Sequence, residues 1–349
     1  MERQMKAVVF ERHGGPEVLE YRGVPVPQVG PGEVLLRVRA AAVNYNDIWA
    51  RRGLPGMDFI LPHISGTDAA GEVAEIGPQV RGIEVGAPVV VLGFFSCNAC
   101  PECVRGDPVL CPDHRIWGFH TGPLDGAQGE FARVPASSLF PKPDRLTWEE
   151  AGSFAMNLAT SWRMLVSRAN IRPGDFVLVW GATGGIGSLA LQICRLYNAR
   201  AIAVVGDQGK GALARELGAE FVIDRSHQSV LREVSKATGR RGVDIVFEHT
   251  GAATWETSVH ALRAGGTLVT CGATTGFKAP LDIRFLWNKQ QRYLGCHCGS
   301  AAEFADALRF VERGLIRPVV SEALPLADAA RAQEMVERGE VRGKVVLVP

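Results

Sequence analysis

Four cysteines, Cys97, Cys100, Cys103 and Cys111, follow the spacing C-x2-C-x2-C-x7-C. Four thiolates on one short loop complete the tetrahedral shell that Zn2+ prefers and leave no coordination position open. Such a shell holds structure and does not activate a substrate, so the spacing predicts one structural zinc per chain. Disulfides or free thiols are the competing reading, and disulfides suit small secreted chains better than a chain of 349 residues. The other cysteines, Cys194, Cys271, Cys296 and Cys298, fall in a predicted helix, in strands or at strand ends, where a thiol commonly acts as a small apolar side chain.

A second pattern, GATGGIG at 181–187, directly follows an apolar run and directly precedes an amphipathic one. Glycine there permits a tight strand-to-helix turn and lets backbone N–H groups approach a pyrophosphate at the helix N-terminus. Gly181, Thr183, Gly184, Gly185, Ile186 and Gly187 are therefore candidate dinucleotide-binding residues. A glycine-rich turn without a ligand is the alternative, and the strand–turn–helix context argues against it. About 20 residues further on, an acid commonly holds the ribose hydroxyls of NAD. The chain reads AVVGDQGKG there, with Val205 or Gly206 in that slot, Asp207 slightly late and Lys210 able to meet a 2′-phosphate. This favours NADPH over NADH. Asp207 opposes it, since a carboxylate repels a phosphate, unless it is simply a solvent-exposed loop acid.

Two kinds of scaffold must position these groups. Up to about residue 150, short apolar runs at 5–10, 33–43, 71–77 and 87–93 are separated by Pro and Gly, which predicts a β-rich domain. From Phe176 the pattern becomes strand, turn, helix, repeated, with strands expected at 176–180, 201–205, 221–223, 243–248, 267–271 and 292–296. That alternation predicts a doubly wound parallel sheet in an α/β protein. Ile186, Leu189, Ala190, Ile193 and Leu196 form one helical stripe that would pack on it. The last stretch holds a helical run, FADALRFVERG, and a final strand, VRGKVVLVP, read as a return to the first domain. The boundaries are therefore 1–155 with 297–349 for the β-rich domain and 156–296 for the nucleotide-binding domain.

The formal charge of +1 leaves no broad field for nucleic acid or an anionic membrane. The chain has no apolar run of the ~20 residues that span a bilayer, and MERQMKAVVF lacks a secretory pattern. A cytoplasmic enzyme of a small molecule is expected.

The β-rich start, the cysteine loop, the nucleotide-binding unit and the return together resemble the medium-chain dehydrogenase/reductase superfamily over the whole chain. The resemblance implies a GroES-like catalytic domain beside a Rossmann domain, and a homodimer or homotetramer. In zinc-dependent alcohol dehydrogenases of that superfamily, a catalytic zinc is held by a Cys after the second strand, a His, and a Cys near the domain junction. The matching segments here read VNYND, SGTDAAG and FAMNLATSW, so Asn44 replaces the first Cys, Thr67 the His, and Met156 or Asn157 stands near the third. Amide, hydroxyl and thioether are poor zinc ligands, which predicts that the catalytic metal is lost. Plain alcohol oxidation is weakened with it, because no Lewis acid lowers the alcohol's pKa.

A narrower resemblance runs through RIWGFH (115–120), PKPDRLTWEEA (141–151), FVLVWGATGGIG (176–187), DIVFEHTG (244–251) and the stretch 272–297. These are similar to the crotonyl-CoA carboxylase/reductase branch and related enoyl-thioester reductases. In that branch an Asn, a Phe-Glu pair and a His surround the bound carbon dioxide. The Asn matches Asn44, or Asn46, the Phe matches Phe119 and the His matches His297, while the Glu position is His120. The resemblance implies NADPH-dependent reduction of an enoyl-CoA thioester, without assured carboxylation, and a nicotinamide contact at Thr160.

In that chemistry the protein positions the two reactants and stabilises a developing oxyanion. Asn44 would donate to a carbonyl or to the nicotinamide ribose, or else satisfy strand-end backbone. His297 and His120 would exchange a proton or bond the substrate, or else serve structure. Tyr45 is either a proton donor or a packed aromatic, and Asp47 and Asp68 either functional or loop-bracing. Phe119, Trp117 and Trp287 would line an acyl pocket or simply pack. Rival readings are a zinc-type alcohol dehydrogenase, a quinone or enone oxidoreductase, a reductive carboxylase and a silent NADPH-binding protein.

Overall fold

The computed structural model describes residues 3–120 and 124–349. The chain divides into two compact units. One comprises residues up to Met156, Ser300–Phe304 and Pro318–Pro349; the other comprises Asn157–Gly299 and Ala305–Arg317. The sequence reading has one return at 297, whereas the chain interleaves: the helix Ala301–Glu312 begins in the first unit and ends in the second.

The first unit is built on a seven-stranded sheet. Six strands run in the order Val320–Pro325, Lys344–Val348, Glu33–Ala42, Asp68–Ile76, Pro88–Leu92 and Leu139–Pro141, and Phe131–Pro135 also pairs with Glu33–Ala42. All pairs are antiparallel except the first. Strand alternation sorts the core: Val345 and Leu347 join Val8, Val43 and Leu324 on one face, and Val346 joins Ala40 and Ala42 on the other. Lys344 lies two residues before Val346, on that second face, and is buried.

The sequence pattern missed the helix Tyr45–Arg52. At eight residues it is too short to show two clear turns of periodicity. Its start is set locally, where the Asn44 N–H donates to Asp47 Oδ2 at 2.8 Å.

The second unit is an all-parallel six-stranded sheet. Its order is Ala219–Asp224, Arg200–Val205, Phe176–Val179, Val243–Glu248, Leu262–Thr270 and Arg292–Gly295. In sequence this is 3-2-1-4-5-6, the doubly wound order, with its switch point between Phe176–Val179 and Val243–Glu248. Every strand expected from sequence is present within a few residues of its predicted ends. Val204, Leu178, Val246 and Leu268 pack into one buried cluster across the central strands. Among the described residues, no helix is long and apolar enough to cross a membrane.

Candidate functional site

The strand Phe176–Val179 leads into Trp180 and then Gly181, whose φ of +52° lies in the left-handed region. A Cβ at Gly181 would stand 2.9 Å from the His249 ring, and one at Gly187 would stand 2.3 Å from the Gly181 carbonyl oxygen. Two of the predicted glycines are therefore required by close approach. Gly184 precedes the twelve-residue helix Gly185–Leu196, and its N–H donates to the Gly181 carbonyl at 2.9 Å. The first-turn N–H groups of that helix, at Gly185, Ile186 and Gly187, have no intrahelical acceptor and carry the positive end of its dipole. Thr183 is buried in the turn. Ser161 donates to the Ile186 carbonyl at 3.2 Å, which brings the helix bearing buried Thr160 against the loop.

Sequence reasoning from residue types missed the support of this loop. His249 Nε2 donates to the Trp180 carbonyl at 2.9 Å, and burial pushes this imidazole's pKa down, towards the neutral ring. The carboxylate of fully buried Glu248 accepts from the N–H groups of His249, Thr250 and Gly251 and from the hydroxyls of Thr254 and Ser258. Ser258 in turn accepts from Trp180 Nε1 at 2.8 Å. The signal lay in FEHTG, an acid just before a predicted helix start, where free N–H groups attract a carboxylate.

After the strand Arg200–Val205 the chain places Gly206 at the usual acid slot. Asp207 is exposed, and its Oδ2 lies 3.5 Å from Lys210 Nζ, while Lys210 is largely covered. A pair of this kind offsets part of the negative charge that Asp207 would present to a phosphate.

In the first unit, Asn44, Thr67 and Asp68 are brought together and are buried. Asn44 Nδ2 donates to Thr67 Oγ1 at 2.7 Å and to Asp68 Oδ2 at 2.9 Å, and Asn44 Oδ1 accepts from Lys344 Nζ at 2.5 Å. Asp68 Oδ1 accepts from the Met156 N–H at 2.8 Å, and Asp47 Oδ1 accepts from the Gly66 N–H at 3.0 Å. Asp47 and Asp68 are thus braces, one of the two roles read for them. Burial pushes the Asp47 carboxyl up to about 7 against the backbone N–H groups and Lys344, and it also raises Asp68. Burial lowers Lys344, opposed by the attraction of both carboxylates. Lys344 is absent from the sequence-predicted residues; a charged residue opening an apolar final strand was its only signal.

Both hydrogens of the Asn44 amide are used inside the fold, so donating to a ligand would require it to release Thr67 or Asp68. The donor set also fails as a zinc site: the amide nitrogen is a donor, Thr67 offers a hydroxyl and Met156 a thioether.

Phe119 and His120 lie in the same unit and follow Gly118, where a Cβ would stand 2.4 Å from the carbonyl oxygen of Gly66, the neighbour of Thr67. The ring of buried Phe119 meets Phe59 edge-on, 5.9 Å between centroids, and His120 meets His114 at 5.7 Å. His120 Nδ1 accepts from the Ile116 N–H at 2.8 Å, which places the proton of a neutral ring on Nε2. Trp117 is fully buried in the core, so it packs and does not line a surface pocket, whereas Trp287 is exposed. Tyr45 packs edge-on against Trp49. His297 is exposed, just beyond the strand Arg292–Gly295 at the carboxyl edge of the parallel sheet, where doubly wound folds bind ligands.

The four cysteines of the 97–111 loop converge. Their sulfur atoms all lie within 4.8 Å of one another, with Cys100–Cys103 and Cys97–Cys111 at 3.5 Å and Cys97–Cys103 at 3.9 Å. Zn–S bonds of about 2.3 Å in a tetrahedron put sulfurs about 3.8 Å apart, so the cluster fits that metal. Without a metal the thiols differ: the N–H groups of Ala99 and Cys100 hold Cys97 down at about 6, whereas burial pushes Cys103 up to about 11.

Comparison with known proteins agrees with both units. The family model for the alcohol dehydrogenase GroES-like domain matches residues 30–144, and that for zinc-binding dehydrogenase matches 185–313. The chain is 36% identical to a crotonyl-CoA carboxylase/reductase of Cereibacter sphaeroides, over 96% of this chain and 84% of that one. A solved NAD-dependent alcohol dehydrogenase superposes with a TM-score of 0.94 at 39% identity, over 99% of this chain and 100% of that one. A crotonyl-CoA carboxylase/reductase solved with NADP superposes with a TM-score of 0.91 at 33% identity, covering 99% and 94%. The chain belongs to the medium-chain dehydrogenase/reductase superfamily of NAD(P)-dependent oxidoreductases, among whose members it is similar to the crotonyl-CoA carboxylase/reductases.

Proposed function

We propose that this protein is an NADPH-dependent reductase of an activated double bond, with an enoyl-CoA thioester of the crotonyl or acryloyl type as its substrate. In this reading it works without a catalytic zinc and carries one structural zinc on Cys97, Cys100, Cys103 and Cys111. The observation that carries it is the Asn44–Thr67–Asp68–Lys344 network, which fills the positions of a catalytic zinc with side chains already committed to one another. Without a Lewis acid, alcohol oxidation has no means of lowering the alcohol's pKa, whereas alkene reduction needs only an activated acceptor. Two similar proteins support it by name, a crotonyl-CoA carboxylase/reductase and one such enzyme solved with NADP, while the similar NAD-dependent alcohol dehydrogenase bears the name of the rival reading.

Bound NADPH would supply a hydride for the β-carbon of the thioester, with a proton from solvent completing the reduction at the α-carbon. The Gly181–Gly187 turn and the helix behind it would seat the pyrophosphate, Lys210 the 2′-phosphate and Thr160 the nicotinamide. Asn44, Phe119 and His120 in the first unit, and His297 in the second, are the candidate substrate-contacting residues. The imidazole of His120 replaces the carboxylate expected in a carboxylating enzyme, and it disfavours that second reading. A homodimer or homotetramer, joined at the outer strand Arg292–Gly295, completes the proposal; light scattering tests it.

The decisive experiment follows NADPH consumption with crotonyl-CoA, acryloyl-CoA, small enones and quinones, each with and without bicarbonate. Turnover of a thioester is expected. No thioester turnover overturns the proposal, and preference for NADH overturns the cofactor assignment. Metal analysis should find one zinc per chain; two would restore the alcohol dehydrogenase reading.

A further inference from the structure

We propose that Lys344 is a positioning residue, whose ammonium clamps the Asn44 amide in a single orientation together with Asp68. The inference rests on the reading above, in which Asn44 belongs to the reductase site. It begins with register. Val346 pairs with Ala42 across the antiparallel strands, so Lys344, two residues earlier, falls opposite Asn44, two residues later. The intervening bond is made: the Val43 N–H donates to the Val345 carbonyl at 3.0 Å. Both side chains lie on the same face of the strands, and both are buried.

Lys344 Nζ donates to the Val43 carbonyl at 2.6 Å and to Asn44 Oδ1 at 2.5 Å. At the other end of the amide, Nδ2 donates to Asp68 Oδ2 and to Thr67 Oγ1. Lys344 Nζ donates to two oxygens, and both oxygens of Asp68 accept, Oδ2 from Asn44 and Oδ1 from the Met156 N–H. Flipping the amide would set its NH2 against a donor and its oxygen against an acceptor. Only one orientation satisfies both, so the amide is held at each end along its own dipole. The clamp also fixes Thr67, whose oxygen is held as an acceptor and whose hydroxyl hydrogen must point elsewhere. A network fixed in this way holds Asn44, Thr67 and Asp68 in one arrangement, and catalysis gains from surroundings that need no reorganisation as charge develops.

The test compares the wild-type protein with Lys344→Met, Lys344→Arg and the charge-neutral double variant Lys344→Met/Asp68→Asn. Asparagine-selective 15N labelling reports the Asn44 side-chain amide, assigned by its loss in Asn44→Ser, and needs no substrate. That readout therefore stands even if enoyl-thioester turnover is absent. A single, slowly exchanging Asn44 amide is expected in the wild type. Lys344→Met should broaden or double it and lower kcat at least tenfold on the substrate turned over, with KM for NADPH within twofold. Lys344→Arg should recover kcat to within about threefold. The double variant removes both charges together and guards against misfolding from one unpaired charge. If Lys344 orients Asn44, the double variant folds and stays impaired. A wild-type Asn44 amide that is already averaged, or a double variant with full kcat and a single amide signal, overturns the proposal and leaves Lys344 a mere counter-ion.

Discussion

His249 donates from Nε2 to the carbonyl oxygen of Trp180 across 2.9 Å, joining the loops after the first and fourth strands of the parallel sheet. These loops flank the switch point, where a doubly wound fold opens its ligand crevice. The same ring leaves 2.9 Å for any Cβ at Gly181, which also needs a φ of +52°. Gly181→Ala therefore meets two penalties, a left-handed backbone costing about 1–2 kcal/mol and a contact with a ring held in place. NADPH affinity, read by fluorescence titration, should fall about tenfold. Pairing it with His249→Ala should return only the steric part; full recovery would mean that the backbone conformation is irrelevant.

The proposed preference for NADPH assigns the 2′-phosphate to Lys210, whose Nζ lies 3.5 Å from Asp207 Oδ2. Lys210→Ala should raise KM for NADPH by about tenfold and leave KM for NADH within twofold, since only the 2′-phosphate loses its partner; Coulomb attraction at such a distance is worth about 1 kcal/mol or more near a protein surface. Asp207→Ala should lower KM for NADPH. An equal effect of Lys210→Ala on both cofactors would show that the ammonium serves the loop and not the phosphate.

The two sheets were legible in sequence for different reasons. The central parallel strands are buried on both faces and read as continuous apolar runs, so 176–179 and 201–205 stand out. The glycine turn and the cysteine loop are local patterns whose chemistry lies in their spacing. What could not be read was non-local. Lys344 meets Asn44 only through the pairing of the last strand with a strand some 300 positions earlier. Glu248 gathers donors from a strand end and the following helix, and residue type alone did not single it out. Asn44 stands out in sequence, but its bonds to Thr67, Asp68 and Lys344 do not, because a sequence shows an amide's presence and not how its hydrogens are spent.

The buried carboxyl of Asp47 makes stability depend on pH. Its pKa is raised from 3.8 to about 7 in the folded chain, chiefly by burial, so between those values the folded chain binds more protons than the unfolded one. Its contribution is greatest at low pH and falls as pH rises through that window, then levels above about 7, with a slope of at most about 1.4 kcal/mol per pH unit. Asp68 is raised too and adds in the same direction. Asp47→Asn should therefore flatten, without abolishing, the decline in unfolding free energy between pH 5 and 7 measured in urea. An unchanged slope would show that Asp47 is ionised throughout.

His120 holds the Ile116 N–H through Nδ1, a role that one oxygen of a glutamate can also fill. His120→Glu should therefore fold with little loss, within about 1 kcal/mol, since one acceptor replaces another. With 13C-bicarbonate present, mass spectrometry should find a higher ratio of carboxylated to simply reduced product than in the wild type. Carboxylated product already dominant in the wild type would show that the imidazole is no obstacle.

The cysteine loop offers a separation of structure from cofactor binding. Cys103 sits 3.5 Å from Cys100 and 3.9 Å from Cys97, so its sulfur closes the tetrahedron on two sides. Serine is isosteric but presents a hydroxyl in place of a thiolate, and zinc binding in such loops is worth on the order of 10 kcal/mol to local folding. Cys103→Ser should cut bound zinc from one per chain to well below one, lower the Tm by several degrees and open the 97–111 loop to limited proteolysis. The glycine turn is built wholly within the other unit, from the strand Phe176–Val179 and the helix Gly185–Leu196. NADPH affinity should accordingly stay within about twofold at a temperature where the variant remains folded. Loss of zinc with no change in Tm or proteolysis would show that the loop holds its shape without metal; loss of NADPH binding in step with zinc would show that the two units do not fold independently.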